Sequence, residues 1–464
     1  MRLEECFVLE NGYAFKSKDF IETGIPVIKI KNVKAGCFVD NNFSYVDERF
    51  IDEKPSKVAR ENDVLITMSG NRHDGNAETW VGKVALFTKE KRYLINQRVG
   101  ALRLKDGVDI DPIFVAYSLS AWKYQNWFIS IANSSGGQAN ISPNQILSTS
   151  ILLPPIGEQK AIAHILSTLD DKIELNRQMN ETLEAVAQAL FKSWFVDFDP
   201  VIDNALLAGK AIPEPLKQRA EMRQTQLDSG KANTNSEIND LFPSEFEFTE
   251  ELGWIPKGWR VRPLPELMDF LEGPGIRNWQ YTEEEDGINF INIRCIQSGD
   301  INLKTANKIT REEAFGKYKH FQLEVDDIIM SASGTLGRYA FVRQEHLPLS
   351  LNTSVIRFRP INGVSTLYYI AGYIDTKLQW ELETRASGSV QRNFGPMHLK
   401  KITMFVPDIN VLEEHARLSS EIFNKRRNNL EQIDTLIQLR DTLLPKLMSG
   451  ELRIADAEKL VENI

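Results

Sequence analysis

The chain has 464 residues, a hydrophobic share of 42%, a charged share of 26% and a formal net charge of -9, a balance that is typical of globular protein and excludes wholesale disorder. The length predicts two to four domains with cores of their own, and without an apolar run approaching roughly 18 residues or an apolar signal region we expect a cytoplasmic protein. Three cysteines without C-x-x-C spacing predict neither disulfides nor a zinc site. The acidic residues are concentrated from Pro200 to Leu252, so basic faces elsewhere remain compatible with nucleic-acid binding.

One order of short elements occurs twice, at an offset of about 253 to 264 residues over the matched stretches, which indicates a duplicated supersecondary plan. Ser69-Gly70 matches Ser333-Gly334, and Asn140 matches Asn393. In the first copy, β-branched and aromatic runs alternate with Gly, Asn and Asp clusters, which favours an α+β or mostly β unit. These runs are Pro26 to Ile30, Val64 to Thr67, Val84 to Phe87 and Val99 to Leu104.

Each unit is predicted to end in a short helix and then a strand-like run into proline. Ser142 to Gln145 supplies an N-cap, a proline at the first helical position and a glutamine three residues after the cap. Gly395-Pro396 stands at the matching place in the second unit. The strand-like runs are Ile151 to Pro155 and Thr403 to Pro407.

A long helix is predicted after each of these prolines, because apolar residues recur at a seven-residue spacing. About 40 residues of helix would span about 60 Å, whereas a helix that lies on its own domain needs only three or four turns. We therefore favour a paired coiled coil, although Lys172 and Lys425 interrupt its second seam. The first seam holds Ile162, Leu169, Asn176, Leu183 and Leu190, with His415, Ile422, Asn429, Leu436 and Leu443; the second is partly filled by Ile165, Met179, Val186, Leu418, Gln432 and Leu439.

Asn176 and Asn429 occupy the same seam position in the two helices. A buried asparagine weakens a coiled coil but fixes its register by pairing with a particular partner. Antiparallel pairing would relate the halves by a pseudo-twofold axis and could bring the two asparagines together. The alternative is that both are solvated.

Residues 199–252 are predicted to be an acidic and polar linker, because five Lys or Arg stand against ten Asp or Glu between Pro200 and Leu252. The most polar part, Asp228 to Ser236, is bounded by modestly helical sequence. Leu252 to Trp259 then indicates an ordered entry into the second unit, with two tryptophans and a proline as anchors.

No catalytic or cofactor motif is complete. Gly75 to Lys83 ends in Gly-Lys, but its glycines are seven residues apart and Val84 stands where a phosphate loop needs a hydroxyl. Glu158 to Lys160 could form part of a nuclease site, yet its place at a helix start favours a helix-starting acid and a solvated lysine. The six histidines lack metal-ligand spacing. We predict no catalytic residue, no cofactor and no metal.

Three segments closely resemble the DNA specificity subunit of Type I restriction-modification enzymes: Leu153 to Ile162, Ala189 to Pro200 and Leu439 to Glu451. The resemblance covers essentially the whole chain and includes Gly253 to Pro256. One departure is that the first unit lacks the Pro-x-Gly-Trp sequence found at Pro256 to Trp259, so its N-terminal edge is expected to be trimmed or covered differently.

The resemblance implies an α+β fold in which two pseudo-repeated target-recognition domains are separated by two long helices that form an antiparallel coiled coil. The expected order is residues 1–154, the first recognition domain; 155–198, the central helix; 199–252, the linker; 253–407, the second recognition domain; 408–450, the C-terminal helix; and 451–464, a tail. Each domain would read one half of a bipartite, asymmetric DNA target. The implied partners are double-stranded DNA, two modification subunits that methylate adenine at N6 using S-adenosylmethionine, and restriction subunits that translocate and cleave DNA.

A reader of this kind needs phosphate contacts for affinity and side chains with paired donors and acceptors for base recognition. Loops after the repeated strands supply candidates, although each could also be a turn former or a solvated charge. In the first unit they are Lys29, Lys31, Asn32, Asn71, Arg72, His73, Lys83, Gln97, Arg98, Gln138 and Asn140. In the second they are Arg277, Asn278, Arg294, Ser331, Thr335, Arg338, Asn352, Gln391, Arg392 and Asn393.

Two alternatives belong to other classes. A methyltransferase-type enzyme chain is disfavoured by the missing cofactor and catalytic motifs. A coiled-coil adaptor without DNA binding would fail to show salt-dependent binding to duplex DNA, so that measurement separates it from a noncatalytic sequence reader.

Overall fold

The computed structural model describes residues 1–73, 79–135, 138–230, 236–297, 299–334, 336–378, 380–381, 384 and 394–462. The chain divides into two compact units, here called unit 1 (residues 1–177 and 431–464) and unit 2 (residues 178–430). Each unit joins one repeated region to a segment of both long helices. The compact units group segments that are separate in the sequence, because each helix segment packs into the core of the region beside it; the domain bounds expected from the sequence stay a prediction.

Unit 1 is built on a four-stranded antiparallel sheet. The strand order is Phe7–Asn11, Val99–Leu104, Val64–Thr67 and Val84–Leu86. Val64–Thr67 lies inside the sheet and is buried along its whole length, which explains its unbroken run of β-branched and aliphatic residues. In a second sheet Leu94–Ile95 runs parallel to Ile25–Ile28.

Unit 2 repeats this sheet in the same order: Met268–Glu272, Val355–Pro360, Ile328–Ser331 and Tyr339–Phe341. The inner strand Ile328–Ser331 is again buried at every residue. The parallel pairing also recurs, between Ile288–Ile291 and Leu349–Leu351. The two α+β regions predicted from the repeat are confirmed.

The remaining elements connect and cover these sheets. In unit 1 the further strands are Phe20–Ile21, Val33–Lys34, Cys37–Phe38, Ser44–Val46, Ser69–Gly70, Asn133–Ser135 and Gln138–Asn140, and the helices are Leu3–Cys6, Arg49–Glu53, Pro112–Ser120, Trp122–Ile131, Pro143–Leu147 and Ile454–Glu462. In unit 2 the further strands are Phe246–Thr249, Gly253–Pro256, Arg260–Pro263, Ile296–Gln297, Asp300–Ile301, Asn307–Ile309 and Thr403–Val406, and the helices are Asp199–Leu207, Lys217–Asp228, Ser236–Asn239, Arg311–Phe315, Leu367–Tyr373, Ile374–Leu378 and Pro396–Leu399.

The short helix predicted at Ser142 is present with both bonds of its capping box, since Ser142 Oγ accepts from Gln145 N and Gln145 Oε1 accepts from Ser142 N. The run into proline forms a strand only in unit 2, where Thr403–Val406 pairs with Arg260–Pro263. In unit 1 this region makes only the isolated bridge between Arg2 and Ser150. The N-terminal edge of the first unit is therefore covered differently, as the missing Pro-x-Gly-Trp sequence predicts.

The first long helix is Ile156–Phe195 and the second is Ile409–Ser449. Within unit 1 the two helix segments run antiparallel, with Asp170 bonded to Arg440 at 2.7 Å. Most of the first seam is buried, including Leu169 and Leu436. The second seam is weaker, as Val186 is 49% exposed.

The segment predicted to be a linker is largely folded, which corrects the expectation from its composition. Asp199–Leu207 and Lys217–Asp228 are helices. Asp199 accepts two bonds from Arg219, at 2.7 and 2.6 Å, so charges that suggested a solvated chain are instead paired. Residues 231–235, in the predicted polar stretch from Asp228 to Ser236, lie outside the described residues.

Candidate DNA-binding surfaces and the helix pair

The loops of unit 1 that carry predicted site residues meet at one end of its central sheet. Met68 N donates to Arg98 O at 2.8 Å, and Ile141 N donates to Met68 O at 2.9 Å. Gly12 completes this junction, because a Cβ at that position would lie 2.1 Å from Asn96 O. Backbone contacts thus hold three loops in one place whatever their exposed side chains are.

Unit 2 contains the same junction. Ala332 N donates to Ser354 O at 2.7 Å, and Phe394 N donates to Ala332 O at 2.9 Å. A Cβ on Gly273 would lie 2.4 Å from the backbone of Asn352. We call these two arrangements the loop junctions of unit 1 and unit 2; each brings together segments that are far apart in sequence.

The loop junction of unit 1 exposes part of the predicted set. Asn71 is half-buried, and its Nδ2 donates to Thr79 Oγ1 at 2.8 Å. Arg72 Nη2 donates to Ala132 O. His73 is exposed, and its Nε2 lies 2.9 Å from Asn126 Oδ1.

The other predicted residues of unit 1 stand on neighbouring segments. Gln97 and Arg98 are exposed, whereas Gln138 and Asn140 are half-buried, with Asn140 Oδ1 accepting from Ser69 Oγ at 2.6 Å. Lys31 is exposed. These side chains are placed where a nucleic acid could reach them.

Lys29 stands beside the exposed Lys31 at the end of Ile25–Ile28. Its Nζ donates to Ser44 Oγ at 2.8 Å and lies 4.2 Å from the ring centre of Phe20. Partial burial, with a smaller contribution from the charge of Lys31, lowers the pKa of the Lys29 ammonium. The side chain is therefore tied to its own unit as well as near the surface.

Three predicted contacts are corrected by burial. Asn32 is 1% exposed, and its Nδ2 donates to Val39 O and Asn41 O, so it holds a turn together. Lys83 is 5% exposed and Ser331 is fully buried, which removes both from a contact surface. Their residue types suit DNA binding, but tertiary packing covers them.

In unit 2 the exposed predicted residues are Arg277, Asn278, Arg294 and Arg338, and Asn352 is half-buried. Ser331 Oγ accepts from Arg338 N at 3.0 Å, which fixes the backbone from which the Arg338 side chain leaves. Thr335, Gln391, Arg392 and Asn393 lie outside the described residues.

An open depression of about 490 Å³ adjoins the loop junction of unit 2, and Glu272, Ser333 and His398 are among its lining residues. Burial raises the pKa of the Glu272 carboxyl. A carboxylate can accept a hydrogen bond from a cytosine amino group. Sequence reasoning missed Glu272, because an acid at the end of a strand carries no signal for DNA recognition.

A short turn before the second sheet of each unit was also only partly recognised. The turns are Ser17–Asp19 and Asn278–Gln280, and in each the residue before the turn donates its N–H to the side chain that ends it. Lys18 is exposed in the first turn, and Trp279 is 80% exposed in the second. Comparing the turns in the two copies of the repeat would have identified this pair of positions.

The predicted register residue Asn176 belongs to unit 1. Its Nδ2 donates to Gln432 Oε1 at 3.2 Å, and Gln432 is itself exposed. Nearby, Asp170 accepts from Tyr117 Oη at 2.6 Å as well as from Arg440. This network joins the repeated region of unit 1 to both long helices.

Asn429 belongs to unit 2 and bonds to another partner than the one predicted. Its Nδ2 donates to Asn180 Oδ1 at 2.8 Å, and both side chains are buried. Arg426 bonds to Glu184 at 3.0 Å one turn away, so the helix segments of unit 2 also run antiparallel. Each predicted asparagine thus makes a polar contact across the helix pair, but with a residue of another heptad position.

Within the described ranges, no three His, Cys, Asp or Glu side chains are grouped as metal ligands would be. In the same ranges, no helix has both the length and the apolar character needed to cross a membrane.

A family model described as the Type I restriction modification DNA specificity domain matches residues 1–185 and 256–436. The Type I restriction enzyme HindI specificity subunit of Haemophilus influenzae is 28% identical over 74% of this chain and 77% of its own length. The Type I restriction enzyme MjaIX specificity subunit of Methanocaldococcus jannaschii is 24% identical over 95% of this chain and 90% of its own length. The crystal structure of the S subunit of a Type I restriction-modification system from M. genitalium covers 96% of this chain and 95% of its own, with 16% identity and a TM-score of 0.51, a likeness of fold.

Proposed function

This chain belongs to the Type I restriction-modification DNA specificity family, and we propose that its two units read the two halves of a bipartite, asymmetric DNA target. The chain supplies recognition, and the chemistry lies on other subunits. Two modification subunits would methylate adenine at N6 with S-adenosylmethionine, and restriction subunits would cleave.

The observation that carries this proposal is that one backbone junction is built twice and presents different side chains each time. The junction of unit 1 presents the exposed side chains of Gln97 and Arg98. In unit 2 an exposed arginine, Arg338, lies instead just before the strand Tyr339–Phe341. Sequence recognition requires side chains that differ between targets, held on a backbone that does not change. The two loop junctions have this property, because their backbone is repeated and their exposed side chains are not.

The predicted residues remain candidates with distinct roles. Exposed lysine and arginine side chains, such as Lys31 and Arg294, suit phosphate contacts, which carry affinity but no sequence information. Asn71 and Gln138, whose side chains are half-buried, suit adenine, because an amide can form paired bonds with its major-groove edge. Thr335, Gln391, Arg392 and Asn393 stay proposals from the sequence.

The exchange of one recognition region tests the proposal. Residues 1–154 are replaced by the equivalent region of a related subunit, while the long helices are kept, and methylated sites are sequenced in cells that also carry the modification subunit. We expect one half of the methylated sequence to change and the other to stay. The reciprocal exchange of residues 253–407 is the matched control and should change only the other half.

Changes in both halves after one exchange would argue against independent readers. A methylated sequence that stays the same after both exchanges would show that the units do not read DNA. The purified chain, incubated with DNA and S-adenosylmethionine, should transfer no methyl group until the modification subunit is added.

A further inference from the structure

Trp279 is presented by a rigid turn of unit 2. It is 80% exposed, yet its neighbours Ile276 and Gln280 are 6% and 7% exposed. Gln280 N donates to Arg277 O at 2.9 Å, and the amide of Gln280 donates to Tyr318 Oη, also at 2.9 Å. The buried residues on both sides therefore hold the backbone of the turn while the indole points away from the core.

An indole in this position leaves a large apolar surface in water. Tryptophan buries more apolar area than almost any other side chain when it finds a partner, and it loses little rotamer freedom in doing so. Within the described part of the chain, no aromatic ring packs against Trp279. Such a side chain, exposed on a fixed turn, is available for a contact outside the chain.

The turn is tied to the loop junction of unit 2. Gly273 N donates to Val355 O at 3.3 Å, and Pro274 O accepts from Thr353 N at 2.9 Å. The chain then passes through Ile276 into the turn. The indole is thus carried by the same loop that forms one side of the junction.

The residues beside Trp279 identify the kind of partner. Arg277 and Asn278 precede it and are both exposed. A guanidinium binds phosphate and an amide binds a base edge, while a large apolar ring can insert between base steps of a duplex and stack there at the cost of partial unstacking. A cation, an amide and an aromatic ring in consecutive positions match the surface of a nucleic acid.

A comparison of the two units distinguishes a DNA contact from a protein contact. Two identical partner subunits would meet matching surfaces of the two units, whereas the two halves of an asymmetric target differ. Trp127 and Trp380, at the offset of 253 residues, are 47% and 61% exposed, so this tryptophan is repeated. Trp279 is not, because the exposed Lys18 stands in the matching turn of unit 1.

We propose that Trp279 inserts between base pairs and stacks against them in the half of the target bound by unit 2, a specificity contact that rests on the proposed function and has no counterpart in unit 1. Arg277 anchors the adjacent phosphate. Lys18 makes only a charge contact in the other half.

The test uses the complete complex with its modification subunits and a duplex carrying the methylated target. Trp279→Ala should weaken binding about 5- to 100-fold, the range for loss of one base–aromatic stack, with no change in the dependence of the dissociation constant on salt. Trp279→Phe should recover most of the affinity because a smaller ring can still stack. Phe248→Ala removes another exposed aromatic ring of unit 2, 64% exposed, and should leave DNA binding unchanged.

A second readout places the contact. 2-Aminopurine is substituted at successive positions in each half of the target, and its fluorescence is compared between the wild-type and Trp279→Ala complexes. We expect quenching by the wild-type complex in the unit 2 half that the variant abolishes, and no difference in the other half. Thermal unfolding and gel filtration of each complex report folding and assembly.

Equal affinities for the wild type and Trp279→Ala would overturn the inference, and so would a variant that assembles poorly but binds DNA normally once assembled, since Trp279 would then contact a protein. If Trp279→Ala unfolds, Trp279→Phe and the fluorescence map still test the inference. A folded Trp279→Phe complex that quenches 2-aminopurine equally in both halves of the target would exclude the stack. Absence of salt-dependent DNA binding by the wild-type complex would instead reject the proposed function itself.

Discussion

Unit 1 and unit 2 agree most closely where they are buried and differ most where they are exposed. Asp63 accepts two hydrogen bonds from Arg103, each at 2.9 Å, and Asp327 pairs in the same way with Arg359. These carboxylates, both 2% exposed, stand before the inner strand of each sheet. The repeated features therefore report what the fold requires, and the unrepeated ones report where the two units have separate tasks.

One matched pair of positions shows both sides of this rule. Lys83 N donates to Thr67 Oγ1 at 2.9 Å, and Arg338 N donates to Ser331 Oγ at 3.0 Å, so the two backbones are held alike. The Lys83 side chain is nevertheless buried and that of Arg338 is exposed. Equal backbone positions thus serve packing in unit 1 and a surface in unit 2.

The largest effect is expected at the repeated ion pair. Asp63→Ala should destabilise unit 1 by about 3 to 5 kcal/mol, because it leaves the nearly buried Arg103 without its carboxylate. Asp327→Ala should cost less, since Arg359 is 29% exposed in its side chain and keeps Glu324 at 3.2 Å. Hydrogen exchange read by mass spectrometry on the assembled complex would show faster exchange confined to the unit that carries the substitution. Equal losses in both units would mean that the pair does not act locally.

Arg338 and Lys83 give the next test. Arg338→Ala should weaken DNA binding by about 1 to 3 kcal/mol and relax one position of the target if it reads a base, or flatten the salt dependence if it contacts phosphate. Arg98→Ala should behave in the same way for the other half-target. Lys83→Ala is the matched control: it should lower the unfolding temperature and leave the salt dependence of DNA binding unchanged. A flatter salt dependence for Lys83→Ala would show that Lys83 contacts a DNA phosphate although its side chain is buried in the unit.

The sequence predicts the regular parts of this fold closely, because their signals are local. The long helices, expected at residues 155–198 and 408–450, are found at Ile156–Phe195 and Ile409–Ser449. Heptad spacing and the prolines before each helix depend only on neighbouring residues. The inner strands were likewise visible as unbroken apolar runs.

What the sequence does not predict depends on packing between distant segments. The helices around Asp203 look like a solvated linker by composition, but Arg223 pairs with that carboxylate, which is 2% exposed. Asn32 and Ser331 have the right chemistry for DNA and are covered by their own unit. Exposure depends on tertiary packing. Only the structure could therefore separate the candidate residues that lie on the surface from those that are buried.

The helix pair offers a smaller and more selective test. Asn429→Ala should lower the free energy of unfolding by about 1 to 3 kcal/mol, because the buried Asn180 Oδ1 loses the N–H group that donates to it. Asn176→Ala should cost less than about 1 kcal/mol, since its partner Gln432 is exposed and can bond to water instead. Urea unfolding of the two variants, assembled with the modification subunits, compares them directly. A larger loss for Asn176 would reverse the assignment of the stronger register contact to unit 2.

The long helices bring different side chains into the two cores. His415 of unit 2 is 1% exposed at the offset at which unit 1 has the apolar Ile162. The rings of Phe195, Trp194 and Phe191 lie 4.9, 5.7 and 6.1 Å from its own. Burial lowers the pKa of the His415 imidazole to about 3, so this side chain stays neutral in the folded unit at pH values at which it is protonated in an unfolded chain.

His415→Ile should therefore make unit 2 resemble unit 1 in its response to acid. Between the ordinary histidine pKa of about 6.5 and the folded value, the unfolded state binds the extra proton, so stability falls with decreasing pH by up to about 1.4 kcal/mol per unit. At pH 7.5 the histidine is neutral in both states and this contribution vanishes. Urea unfolding at pH 7.5 and pH 5.5 should show the variant gaining about 1 kcal/mol relative to the wild type at the lower pH, with Ile162→Val, which changes no titrating group, as control. A gain of the same size for both variants would assign the effect to packing rather than to the proton.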